Sequence, residues 1–147
     1  MHDSRDLVLR IGLVVLAVPS VIVGVWAAFF PRGFYDDFPG LGRMWVAPDG
    51  PYNQHLIRDV GELNLALFVV VLAAAVTLSL PLVRAALAAT LVNGVLHVVY
   101  HVGHVDMFSS GDQVAIIGSL VLAPVVALVL LATVRGGSEP AAVAGSV

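Results

Sequence analysis

Apolar residues run almost unbroken through four stretches of this chain, and the charged positions gather between them. Ile11 to Phe30 carries no charged residue, which is long enough to cross a hydrocarbon core of about 30 Å. Three further runs follow, Val60 to Leu80, Ala85 to Val105 and Gln113 to Val134. The pattern predicts an all-α fold, an integral membrane four-helix bundle forming one domain, residues 1–134. Its spans lie at about 11–30, 60–80, 85–105 and 113–134, and a Gly-, Ser-, Ala- and Pro-rich flexible C-terminal tail, 135–147, follows. Pro19 and Pro124 fall inside spans, where neighbouring helices can satisfy the freed carbonyl. Pro81 closes the second span, and a connection as short as Pro81 to Arg84 joins antiparallel neighbours. Asp112 is the expected N-cap of the fourth span. The first run exceeds the h-region of a signal peptide, about 7 to 15 residues, and no clear small-x-small site follows it, so it reads as a retained span.

Between the first two spans, Pro31 to Gln54 alternates Phe34, Tyr35, Phe38, Trp45 and Tyr52 with prolines and glycines. Such an aromatic-rich loop suits the headgroup level, as an interface anchor or as a lid over the bundle mouth.

Within the third span the polar positions have a period of their own. His97, His101 and His104 stand at i, i+4, i+7, which places three imidazoles on one helical face, with Asn93 one turn deeper. Ala86 and Ala89 continue the same stripe. Small and polar residues gather where membrane helices pack, so this face is expected to look into the bundle. His55, Asp59 and Glu62 repeat the spacing at the start of the second span. If the two segments are antiparallel neighbours, Glu62 faces His97, Asp59 faces His101 and His55 faces His104.

Composition narrows the chemistry. Of the 147 residues 59% are hydrophobic and 12% charged, with a mean hydropathy of +0.98, outside the range of soluble domains. The lipid bilayer is therefore the expected partner, with a second copy or another membrane protein left open. The seven basic residues are scattered arginines, which excludes a nucleic-acid surface. With no cysteine there is no thiolate nucleophile and no disulfide, and any metal must be held by nitrogen and oxygen. Four spans put both termini on one side, with Arg5, Arg10, Arg84 and Arg135. The connection after the third span has no basic residue, so the expected placement is a multi-pass inner-membrane protein with cytoplasmic termini.

Ionisable groups inside spans are costly and usually mark functional sites. The first expectation is thus a divalent-metal site, zinc or iron, held by His97, His101, His104 and Glu62, with Asp59 or His55 completing it and open positions supporting membrane-embedded chemistry. The alternative is a non-catalytic scaffold or accessory protein whose polar faces form an interhelical hydrogen-bond network or respond to pH. Haem and a transport pathway have less support. Only His55 lies off the third span as an opposing axial ligand, and no polar stripe continues past Asn64.

Three segments, PRGFYDDFPG (31–40), PYNQHLIRDVGELNLAL (51–67) and HVVYHVGHVD (97–106), together resemble a group of small four-span membrane proteins of actinobacterial type. More distantly, four spans with a decorated first loop resemble the DoxX-like membrane proteins, which implies a fold and no activity. The His-x-x-x-His element is similar to one box of the membrane di-iron desaturases and hydroxylases. Their adjacent His-His pairs and further boxes are missing, so that activity is not implied.

Overall fold

The computed structural model describes residues 2–135. Helix α1, His2–Phe29, leads into a short helix α2, Pro31–Asp37, a two-residue antiparallel ladder of β1, Pro39–Gly40, with β2, Arg43–Met44, and a 3-10 turn, Ala47–Asp49. Three long helices follow: α3, Gln54–Thr77, α4, Leu80–Val102, and α5, Ser110–Arg135. The four expected spans are present. Ser4–Phe29, Gln54–Thr77, Leu80–Val102 and Ser110–Val134 are each long and apolar enough to cross a membrane. At about 1.5 Å per residue the shortest of them still exceeds 30 Å. The expected tail falls, after Arg135, outside the described residues.

Local chemistry moves several of the expected boundaries. The second span starts at Gln54 because the Asn53 side chain accepts a hydrogen bond from the Leu56 N–H at 3.1 Å, capping the helix a turn and a half before the apolar run. Pro81 lies inside the first turn of α4, where its missing N–H costs no hydrogen bond. The connection therefore shrinks to Leu78 and Ser79, and Leu78 adopts the left-handed conformation at φ 50°. Ser109, rather than Asp112, caps α5, since its hydroxyl accepts from the Asp112 N–H at 3.2 Å. The third span ends at Val102 with Gly103 as its C-cap, which leaves His104 beyond the helix.

Small residues decide which helices pair. A methyl group on Gly61 of α3 would collide with the backbone of Ala28 in α1, and one on Gly24 would lie 2.8 Å from Leu65 Cγ. Helices α1 and α3 thus run antiparallel with backbones in near contact, and Arg10 donates to the Ala75 and Val76 carbonyls of the last α3 turn at 2.7 and 3.2 Å. Helices α4 and α5 form the second pair, with Gly94 against the ring of Pro124. The contact between α3 and α4 is narrower than either. Gly12 of α1 meets Leu130 of α5, so these two chain ends lie at the same end of the bundle, beside the Leu78–Ser79 turn.

Two apolar clusters result. Leu13, Leu16, Val71, Ala74, Val83, Leu87 and Ala127 fill the end of the bundle near that turn. Ala27, Phe34 and Ile57 fill the opposite end, with Trp26, Tyr35, Phe38 and Tyr52 around them. The loop is consequently ordered: Trp26 meets Phe34 and Phe38 edge-on at 5.9 and 5.8 Å, and Tyr35 donates to the Gly50 carbonyl at 2.7 Å.

Gly61→Ala should lower the thermal unfolding midpoint by an amount equivalent to about 1–3 kcal/mol, because the opposing group is backbone and cannot rotate away. Gly118→Ala in α5, with open space where the methyl would go, should leave the midpoint unchanged or raise it slightly. Thermal unfolding of both variants in detergent checks the pairing.

Candidate functional site

Helix α4 turns the face bearing Ala86, Thr90 and Gly94 into the bundle, and all three are buried. Asn93, His97 and His101 continue that face toward the loop end and line a cavity of about 570 Å³. The stripe borders the cavity at these three positions, but Asn93 and His97 are exposed, so the inward direction expected for it holds only in part, for the half-buried His101. His97 and His101 approach Nε2 to Nε2 at 3.0 Å, with ring centroids 4.8 Å apart. One of the two must donate and the other accept, so the contact requires at least one imidazole to be neutral. His101 Nδ1 is buried and has no hydrogen-bond partner. His104 does not join them. Its Nδ1–H donates to the Tyr100 carbonyl at 2.7 Å and its ring stacks on Tyr100 at 4.2 Å, which holds it against the outside of the α4 terminus.

The facing carboxylates are not where the equal spacing put them. Leu56, Ile57, Val60, Leu63, Asn64 and Leu67 are the α3 residues that line the cavity, and His55, Asp59 and Glu62 are not among them. His55, Asp59 and Glu62 each precede one of these by one position, and one position turns the side chain by about 100° around the helix. Their stripe accordingly points away from α4. The His55 side chain is 89% exposed and pairs with Asp59 at 3.4 Å along its own helix, and Glu62 is exposed. The cause is Gly61: α3 sets its rotation by pressing that glycine onto α1, not by facing α4. Among the described residues no group of three His, Cys, Asp or Glu side chains is placed to hold a metal ion. The expectation of a zinc or iron centre built from His55, Asp59, Glu62, His97, His101 and His104 is overturned, and with it the proposed metal chemistry.

Polar contacts between elements are made by other residues. Asp112, in the first turn of α5, accepts from Arg43 at 2.6 Å, from the Trp45 indole N–H at 3.0 Å and from the Ser109 hydroxyl at 2.7 Å. It thereby joins the β2 strand and the residue after it to α5. Asp49 accepts from the Tyr100 hydroxyl at 3.1 Å, joining the 3-10 turn to α4. Arg32 pairs with Asp36 within α2, lies over the rings of Tyr35 and Tyr52, and has its pKa raised by the Asp36 hydrogen bond. In the sequence Asp112 reads as a cap and Trp45 as part of an interface anchor or lid, and Tyr100 carries no periodic signal of its own. Pairs separated by 51 to 69 positions have no periodic signature to reveal them.

The cavity lies between the α1/α3 pair and the α4/α5 pair. Val15, Leu16 and Val23 of α1 and Ile116, Leu120 and Ala123 of α5 give it apolar walls, and Phe38, Trp45, Val46 and Asp49 cover the loop end. Ser20, Asn64, Thr90 and Ser119 also line it, each donating to a carbonyl of its own helix. On the α3/α4 side Leu63 is 71% exposed, and Leu56, Asn93 and His97 are exposed as well, so the cavity opens there. This is a four-span membrane-type helical bundle with a lateral cavity. Comparison with family models, curated proteins and solved structures finds no match to the chain.

Asp112→Ala removes three acceptor contacts at once and should release β2. Trypsin should then cleave after Arg43 several-fold faster than in the parent protein, while the thermal midpoint falls by the equivalent of about 1–2 kcal/mol. A time course of proteolysis followed by mass spectrometry reads the first effect.

Proposed function

We propose that this chain is a non-catalytic accessory or scaffold protein of the cell membrane, whose polar residues at the loop end hold the helices and loop in register. The Asp112 contacts carry this reading: one carboxylate receives a guanidinium, an indole and a hydroxyl from the loop and the helix start. Such contacts fix positions rather than present a reactive group. The carboxylate is partly exposed, yet hydrogen bonds with an ionised partner are shorter and stronger than neutral ones, so three donors converging on it hold one arrangement. The Asp49 to Tyr100 bond supports the same reading from the α4 side.

The reading includes insertion in the bilayer with both termini in the cytoplasm and the aromatic loop outside. The connection between α4 and α5 supports it, because it has no basic residue; the arginine counts, four on the side of the termini against Arg32, Arg43 and Arg58 on the other, differ by only one. Residues with amphipathic rings, Tyr35, Tyr52 and Trp45 among them, lie at the level where one helix end meets the headgroups.

Two measurements test it. Protein purified without added metal should contain no stoichiometric zinc or iron, and EDTA should leave its unfolding midpoint unchanged; a stoichiometric metal lost in His101→Ala would overturn the non-catalytic reading. The chain has no cysteine, so single cysteines at Ser4 and at Gly50 report orientation without background. In intact cells a membrane-impermeant maleimide should label the Gly50 position and not the Ser4 position.

A further inference from the structure

The outward stripe of α3 is left unused by the bundle. His55, Asp59, Glu62, Ala66, Val69 and Ala73 follow one another at alternating intervals of four and three residues, the spacing that keeps one seam of a helix against a parallel neighbour. This seam lies roughly opposite the buried positions Ile57, Gly61 and Ala75. His55, Glu62, Ala66 and Val69 are exposed, and Asp59 and Ala73 are half-buried.

Glu62 is the residue that calls for a partner. Gly61 presses on Ala28, so Glu62 stands level with the last turn of α1, beside a charge-free run that continues to Phe30. In a bilayer this level is the edge of the hydrocarbon, where an unmatched carboxylate is costly and usually marks an interaction. Among the described residues Glu62 makes no hydrogen bond or ion pair. Arg58, exposed at the edge of the seam one turn nearer the loop, makes none either, although the two stand at i, i+4. His55 and Asp59 are already paired with each other at 3.4 Å. The face therefore keeps one unmatched cation and one unmatched anion.

We propose that a second copy of the chain docks on this face, α3 against α3 about a two-fold axis along the membrane normal, with Arg58 of each copy paired to Glu62 of the other. Two copies inserted the same way present parallel helices, so equal depths meet and the seam stays in register along its length. Arg58 and Glu62 are four residues apart, about 6 Å of helix axis, within the reach of an arginine side chain. The two-fold forms the pair twice, and both leftover charges of each copy are matched. Deeper on the seam, Ala66 and Ala73 are small enough to let the helices approach closely. A different membrane protein would have to bring a basic residue to the depth of Glu62 and would leave Arg58 unmatched. The inference rests on insertion of the spans in a bilayer and is independent of whether the chain is catalytic, so the metal and EDTA measurements do not bear on it.

Disulfide mapping tests the face, because the chain has no cysteine of its own. Ala66→Cys, Val69→Cys and Ala73→Cys, each in the full chain in native membranes, should give several-fold more dimer with copper phenanthroline than Val125→Cys and Leu128→Cys, which lie on the exposed side of α5. In the Val69→Cys chain, Glu62→Arg and Arg58→Glu should each lower the dimer several-fold, and the two together should restore it. Resistance to trypsin at Arg43 confirms that each charge variant is folded. The cysteine map involves no change of charge, so it decides the face even where a charge variant fails that control. Equal cross-linking on α3 and α5 would overturn the proposal. So would undiminished dimer in either folded charge variant, or a folded double variant that fails to restore it. Benzoylphenylalanine at position 69 reports any other occupant: an adduct of twice the mass of the chain is expected, and an adduct with a different protein or with lipid alone would overturn the second copy.

Discussion

Close approach at two glycines, Gly61 of α3 against the backbone of Ala28 in α1 and Gly94 of α4 against the ring of Pro124 in α5, is the constraint from which the architecture follows. Inside a bilayer, apolar side chains gain nothing by leaving lipid for protein, so helices associate through close packing where side chains are small. Each glycine lets one pair of helices come together along its length, and each pair then acts as a stiff unit. Bulkier residues of the two units, Leu16, Leu67, Ile116 and Leu120, line the space between them, which stays partly open. One packing rule thus produces both the tight pairs and the cavity.

Order in the loop has a different origin. Pro31–Asp37 and the segments after it bury Phe34 and pack Trp26, Phe38 and Trp45 edge to face, which gives that end of the bundle an apolar plug. Aromatic packing alone leaves the plug free to slide over the helix ends. The carboxylates of Asp112 and Asp49 remove that freedom by naming two points of attachment, one on each helix of the second pair. The plug is rooted in the first pair through α1 and bonded to the second, so it determines how far apart the two stand at that end.

Hydropathy and length made the four spans legible, because crossing a bilayer demands a long charge-free run and little else in the chain supplies one. That Asn93, His97 and His101 share a face with Ala86 was legible too, from their common helical period, but not that this face opens to the outside at Asn93 and His97. The rotation of α3 was not. A short connection between α3 and α4 suggested that these two faced one another, and equal spacing of His55, Asp59 and Glu62 then appeared to match the histidines. Connection length governs direction, whereas rotation is decided by the tightest contact, and for α3 that is Gly61 on α1. Gly61 itself, between Val60 and Glu62 at the start of the apolar run, is the one local sign of it. His104 was misplaced for a related reason: periodicity does not announce where a helix stops, and Gly103 stops this one.

The turn at Leu78 and Ser79 is two residues long, with Leu78 already in the left-handed conformation. A link that short allows neither separation nor sliding of the helices it joins. Relative movement of α3 and α4 is therefore restricted to pivoting, and displacement must grow with distance from the pivot. The mouth near His101 widens most for a given angle, while the inner end near Leu67 and Thr90 scarcely changes.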